Sequence, residues 1–528
     1  MDEQKFTPQE PKPESPSNAH VSPSEPEQQT PAAEATVSSP APDAVLAAEA
    51  GKTEKKRLRL FPFFIGGAVL ILAALAVLAF LFLRPTQSDR SYDLFSDGLI
   101  LVQRNGKYGY ADRNGKEVIP CTYYSASNFR NGIAMVQEEE DGNFYYINTK
   151  NERAINTPFY SAGDFDSYGC AVVERYEGNP ELIDTAGKTM CNADLLLAIF
   201  DNGYYLFGER HNDSMLFGIV NTKGNIVIPA TYNSLTFLFE ADRLAFSDRY
   251  LVAQTNTKSG TFSSLITVDG KELYSSEIGG SILAFSSSDS DLISFSKKGT
   301  EVDTYGFIDK KGSVVISPIY EEPSVFCSGI TKVTATGMDM VIDEKGNVIY
   351  SEKNHSVEET SADGYAVIKY NGKYGVCDSK GNLIIPCEYD KFQWLESGMG
   401  NLFDAKGNTV VTKDDQAMLI NRKGETVSSG SYSTIVYSTA GNEKSGLCLA
   451  INEKTGVSVC LDAGGEIVFT FDKAAAPDFD DLFLFSIPIS GDGYIVVYDS
   501  ENDTYGVVDK TGKTVIPVIY DSIEPAWN

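Results

Sequence analysis

One phrase recurs along the chain at intervals that decide its architecture. Tyr108-Gly109-Tyr110-Ala111-Asp112 is followed by Gly115, then Val118-Ile119-Pro120 and Tyr123. The order returns as Phe217-Gly218-Ile219-Val220-Asn221 with Gly224, Val227-Ile228-Pro229 and Tyr232. It returns again from Tyr374 through Asp378, Gly381, Ile384-Ile385-Pro386 and Tyr389, and from Tyr505 through Asp509, Gly512, Val515-Ile516-Pro517 and Tyr520. A pattern reused at fixed internal spacing marks a repeat protein, whose units bury their apolar faces against neighbouring units. The repeats extend from about Tyr92 to the C-terminus.

Each phrase reads as a hairpin. An aromatic, a glycine and two apolar residues running into Asp-x-x-Gly make a strand entering a tight turn. The carboxylate accepts backbone hydrogen bonds there, and the glycine supplies positive φ. The apolar pair that follows is the return strand, and Ile-Pro is expected to end it, because proline donates nothing to a ladder. The glycine after the aromatic leaves room for a neighbouring backbone or ring. Following the turn residue gives Asp112, Asn148, Asp184, Asn221, Asp269, Asp309, Asp343, Asp378, Asn421, Asp462 and Asp509, spaced 34 to 48 residues apart. About eleven units result. At Asp269-Gly270 the turn reads as shortened to a two-residue type, and an extra half-formed copy stands at Leu402-Phe403-Asp404 with Gly407. Segments such as Phe129 to Val136 and Asp363 to Ile368 alternate apolar and small residues after a glycine, which adds a third strand and leaves room for a fourth.

The run Gly106 to Tyr123 resembles the bacterial WG repeat. Tyr108, Phe217, Tyr305, Tyr374 and Tyr505 stand where that family places tryptophan; the only tryptophans are Trp394 and Trp527. The resemblance implies a β-repeat domain, often on membrane-anchored bacterial proteins, and is silent on ligand. The aromatics are expected to pack as structural plates between or within successive sheets.

Composition divides the chain. Residues 1–57 form a proline-rich acidic tail: the first fifty residues hold nine prolines, one aromatic, and nine acidic against two basic residues, too little apolar surface to offset ordering entropy. Lys52, Lys55, Lys56, Arg57 and Arg59 then precede Leu60 to Leu83, twenty-four residues without a charge. That run is long enough for a bilayer core of about 30 Å, which makes 58–84 a transmembrane helix contacting the lipid bilayer. A cleaved signal peptide fits less well, because secretory apolar cores are shorter and lie nearer the N-terminus. The basic flank places the tail in the cytoplasm and residues 85–528 outside it, in a single-pass cell-membrane protein.

After Leu83, 63 acidic residues outnumber 37 basic, a net of −26. That balance argues against nucleic acid as a partner. Eight cysteines follow the span without metal spacing. Most read as small buried hydrophobes, with a Cys377–Cys387 bridge across one hairpin left open. No catalytic, cofactor-binding or metal-binding residue emerges. His20, His211 and His355 are scattered, Gly187-Lys188-Thr189 and Gly512-Lys513-Thr514 lack the leading glycine of a phosphate loop, and the Asp499 to Asp503 run lacks the closing glutamate of a calcium loop. The expected fold is an all-β repeat domain of meander sheets, propeller-like, with an open superhelix of hairpins as the alternative. The expected function is non-enzymatic: a tethered surface module whose loops bind a protein, glycan or envelope polymer. The alternative is a cell-envelope hydrolase with its site built from loops of several repeats; a deep pocket holding carboxylates of raised pKa would favour it.

Overall fold

The computed structural model describes residues 93–526, except 213, 243–244, 394–399, 437–445, 453 and 472–488. All of these belong to the second of two compact units, Pro62–Asn528. The tail and the Leu60 to Leu83 run lie outside the described residues; among those described, no helix is long and apolar enough to cross a membrane. The described chain is all-β, arranged as many small sheets of which none closes into a barrel.

The local cause of each hairpin is visible in the first unit. Strands β1 (Leu99–Arg104), β2 (Lys107–Asp112) and β3 (Glu117–Tyr123) form an antiparallel meander. At the turn between β2 and β3, the Asn114 and Lys116 amides donate to Asp112 Oδ1 at 2.9 and 3.0 Å, and the Gly115 amide donates to the Asp112 carbonyl. These contacts from Lys116 and Asn114 hold the Asp112 carboxyl below its ordinary value. Asn148, Asp184, Asn221, Asp309, Asp343, Asp378, Asn421, Asp462 and Asp509 receive the same pair of amides.

Three expectations need correction. Ile-Pro does not end the return strand. Tyr108 pairs with Tyr123 and Tyr110 with Ile119, so Gly109 alone faces Pro120, Cys121 and Thr122, and β3 continues through the bulge to Tyr123. Proline is tolerated because the bulge removes it from the ladder. A Cβ on Gly109 would stand 2.6 Å from the Ile119 carbonyl oxygen and the Cys121 nitrogen, and Gly218, Gly306 and Gly375 are equally confined. The turn near Asp269 is not shortened: Thr267 occupies the aspartate slot, its carbonyl accepting from Gly270 and its amide donating to Lys271. Asp404 does form the Asp-x-x-Gly turn, but it leads into a second strand, Asn408–Lys413, and adds no unit. Asp166 makes the same turn before Cys170–Glu174.

Complete units have four strands, such as Ser125–Ala126, Ile133–Gln137, Phe144–Asn148 and Arg153–Phe159 in the second. Units nine and ten share one seven-stranded sheet, joined at the single pair Ala417–Tyr432. The core lies between sheets. Among the described residues it forms eleven clusters, each drawing on two successive units. The last of them joins Val507, Ile516 and Tyr520 to Ile100, Val102 and Ala111 of the first unit. The C-terminal strand Ser522–Glu524 pairs with β1 and fills the first-strand place that the first unit lacks. The succession of sheets therefore closes on itself.

A second glycine sets the distance between units. At the Asp-x-x-Gly turn, a Cβ on Gly224, Gly312 or Gly381 would stand 2.0 to 2.3 Å from a carbonyl oxygen of the preceding unit's return strand. Gly115 bears the same relation to Val515 of the last unit. All four have φ between +74° and +91°, where side chains are disfavoured in any case.

The motif aromatics are structural, though Phe217 is the fully buried one; Tyr108, Tyr305, Tyr374 and Tyr505 are half-buried. Their cross-strand partners Tyr123, Tyr320, Tyr389 and Tyr520 are the buried members of each pair. None of the eight cysteines is bridged, Cys377 and Cys387 included.

Gly375→Val is expected to destabilise the domain by about 3 kcal/mol, since the intruding atoms meet backbone rather than a flexible side chain. Gly372→Asn should cost less than about 1 kcal/mol, because a Cβ there meets open space and asparagine accepts the left-handed region. Thermal denaturation of the two variants checks the difference.

Candidate functional site

The repeat's conserved-in-sequence positions are occupied by turns, bulges and contacts between units, so a site has to come from residues outside the motif. A cavity of about 380 Å³ lies on the first-strand side of units five to nine. Its walls come from Phe285–Ser286, which pairs in parallel with Ser234–Glu240 on the sheet of unit five, the segment Glu322–Cys327 and strand Ile330–Ala335 of unit seven, and the first strand His355–Thr360 of unit eight.

Local bonds hold this wall in place. Thr331 Oγ1 donates to the Val325 carbonyl at 2.8 Å, which pins the segment to its own sheet. Lys332 Nζ reaches across to the Glu358 carbonyl at 3.3 Å and ties unit seven to unit eight. Leu283, Phe285, Pro323 and Val333 supply apolar surface, while Lys332, Glu322, Glu359 and Ser324 supply polar groups. Ser324 Oγ is buried and has no hydrogen-bond partner. Such an oxygen is costly unless something bonds to it.

The electrostatics are mixed and on balance acidic. Glu359 is exposed to water yet crowded within the concave wall; loss of solvation raises its carboxyl above the ordinary value, against the opposing pull of the Thr360 amide and Lys332. Cys327 is pushed up to about 12 by burial and by the carboxylates of Asp289, Asp242 and Glu359. Its thiol stays protonated at neutral pH and is no activated nucleophile. Asp164, among Ser127, Arg130, Tyr110 and Tyr146 on the first-strand side of unit three, is likewise raised by loss of solvation.

None of these residues stood out in the sequence. Lys332 and Glu359 are twenty-seven positions apart on strands of different units, and no local spacing announces their meeting. Of the residues weighed for chemistry, His355 packs against Tyr370 and Tyr350 and bonds to the Tyr350 hydroxyl. His211 lies in an exposed pairing with Glu209 at 3.5 Å. Lys188, Thr189, Lys513 and Thr514 lie at ordinary hairpin turns, and the residues Asp499 to Asp503 form another. Among the described residues no group of three or more His, Cys, Asp or Glu is placed to hold a metal ion.

No curated protein matches the chain by sequence. Solved structures that resemble it include a eukaryotic initiation factor, 8% identical over 71% of this chain and 96% of that one, with a TM-score of 0.34. Others are a prolyl endopeptidase, at 12% over 58% and 53% with 0.26, and Porphyromonas gingivalis dipeptidyl peptidase 4, at 10% over 66% and 66% with 0.29. Likenesses this slight carry no inference. The WG containing repeat matches at residues 108–140, 217–245, 305–330, 374–399 and 505–526. The chain thus carries WG-containing repeats in units one, four, six, eight and eleven.

A carboxyl whose folded value is raised weakens the fold where it is ionised and stops doing so as pH falls below its unfolded value. Glu359→Gln is therefore expected to raise the melting temperature at about pH 7 and to leave it unchanged at about pH 4, where an unfolded glutamate is itself largely protonated. Melting curves at the two pH values check this.

Proposed function

We propose that the repeat domain is a propeller-like, non-catalytic binding module, tethered by Leu60 to Leu83 to the membrane of a bacterial cell and presenting its repeats outside the cytoplasm. The observation that carries the reading is the division of labour between residues. Every motif position serves the scaffold, whereas the cavity is built from residues the repeat leaves free, with one partnerless hydroxyl among them. Rigid repeats with free positions on one side suit recognition of a protein, glycan or envelope polymer. The net charge of −26 after Leu83 disfavours nucleic acid.

A second reading has its own support. Glu322 and Glu359 both line the cavity and one of them is raised, the kind of carboxylate pair that a glycoside hydrolase divides into acid and base.

Capture from envelope extracts with the full detergent-solubilised chain as bait tests the first reading against the second. The binding module is expected to retain a partner that Lys332→Met with Glu359→Gln releases, with the domain still folded and with no cleavage. Hydrolysis of envelope polymer, lost in Glu359→Gln alone, would establish the second reading. Protease digestion of the repeats in intact cells, with the tail protected, is the expected topology result.

A further inference from the structure

The residue after each unit's closing aromatic has a fixed place in the fold. In six units its amide donates to the carbonyl at the end of the next unit's second strand: Tyr124 to Gln137, Tyr160 to Glu174, Asn233 to Gln254, Glu321 to Thr334, Asp390 to Thr412 and Asp521 to Gln103. At four of the six, the side chain accepts an amide from the end of that strand or from the turn that follows it. Asn233 accepts from the Asn256 amide at 2.7 Å, Glu321 from Gly337 at 3.0 Å, Asp390 from Asp414 at 2.8 Å and Asp521 from Gly106 at 2.8 Å.

Tyr124 and Tyr160, in adjacent units, break the rule. Their rings are 39% and 42% exposed where a short polar acceptor would serve the fold better. The turns beside them are six residues long, 138–143 and 175–180, rather than the two residues at 105–106, 336–337 and 414–415. These features form one surface. Tyr124 lies against Glu140, the Tyr176 hydroxyl bonds to Asn143 of the same turn, and Tyr176, 66% exposed, packs on Tyr160 with ring centroids 5.4 Å apart. One of these rings already carries a cation: Lys107 Nζ stands 5.3 Å from the Tyr124 centroid, and beside it the Arg153 guanidinium lies 3.5 Å from that of Tyr145. Around them Glu138, Glu139, Glu140, Asp141 and Glu177 are exposed; Glu138 pairs with Arg153 at 2.6 Å and Glu140 with the Tyr124 hydroxyl.

We propose that the Tyr124–Tyr160–Tyr176 surface is a docking site for a basic, arginine- or lysine-bearing segment of a partner protein. Ring faces bind guanidinium and ammonium groups, and the surplus carboxylates oppose an anionic ligand and favour a cationic one. The site is independent of the cavity and uses a different side of the sheets' meander, the end that carries the turns between second and third strands.

The structural rule supplies its own control, since asparagine at position 124 or 160 restores the short polar acceptor that stands at Asn233. A fluorescein-labelled Arg-Gly repeat peptide, its Glu-Gly counterpart and neutral dextran are titrated against the full chain by anisotropy. The Arg-Gly peptide is expected to bind, the other two are not, and Tyr124→Asn with Tyr160→Asn should weaken binding at least about tenfold without lowering the melting temperature. Glu139→Gln with Glu177→Gln should weaken it as well. No binding of the Arg-Gly peptide, equal binding by the tyrosine variant, or dextran binding of similar strength would each overturn the proposal.

Discussion

Three residue pairs, Leu101–Gln103 with Ser522–Glu524, carry the closure on which the rest of the domain depends. A row of stacked β units left open exposes an apolar sheet face at each end and needs capping units to cover them. Here the two ends cover each other. The first unit lacks a first strand of its own, the chain's last strand supplies it, and the first and last sheets then share one core cluster. Arg113 to Asp492 at 3.1 Å and Gly115 against Val515 repeat at the closure the same kinds of contact found between other neighbours. Closure also ties the stability of any one unit to all the others, because a loosened sheet leaves two partners uncovered.

Most of that architecture was legible in the sequence because it rests on local chemistry. Asp-x-x-Gly encodes its turn through two amides and one positive φ, and the glycine after the aromatic encodes a close backbone approach. Eleven units could be counted on that basis. What failed to show was register. Thr267 takes the slot that Asp269 advertises, Asp404 uses the same turn before a different strand, and Pro120 sits in a bulge where local preference alone places an end. The pairing that closes the domain joins positions about 420 residues apart and leaves no periodic trace. The cavity was invisible for a similar reason, since Lys332, Glu359 and Ser324 converge only through the stacking of units.

The repeat also explains where function is free to lie. Glycines of the phrase such as Gly109, Gly218, Gly306 and Gly375 are confined by a backbone within van der Waals distance, and substitutions there act through stability. Positions outside the phrase differ from unit to unit, and there a buried serine oxygen lacks a partner and two tyrosines replace a cap. Glycines and aspartates thus define the scaffold, and the exceptions to their rules point to binding.

Closure is the claim most open to direct test. Amide hydrogen exchange on the native full chain should show Asp521, whose amide donates to the Gln103 carbonyl of β1 at 2.7 Å, protected to the same degree as the amides that pair β1 with β2. Exchange of Asp521 at the rate of an unpaired amide, with β1 protected only through β2, would contradict the account and leave an open row of units.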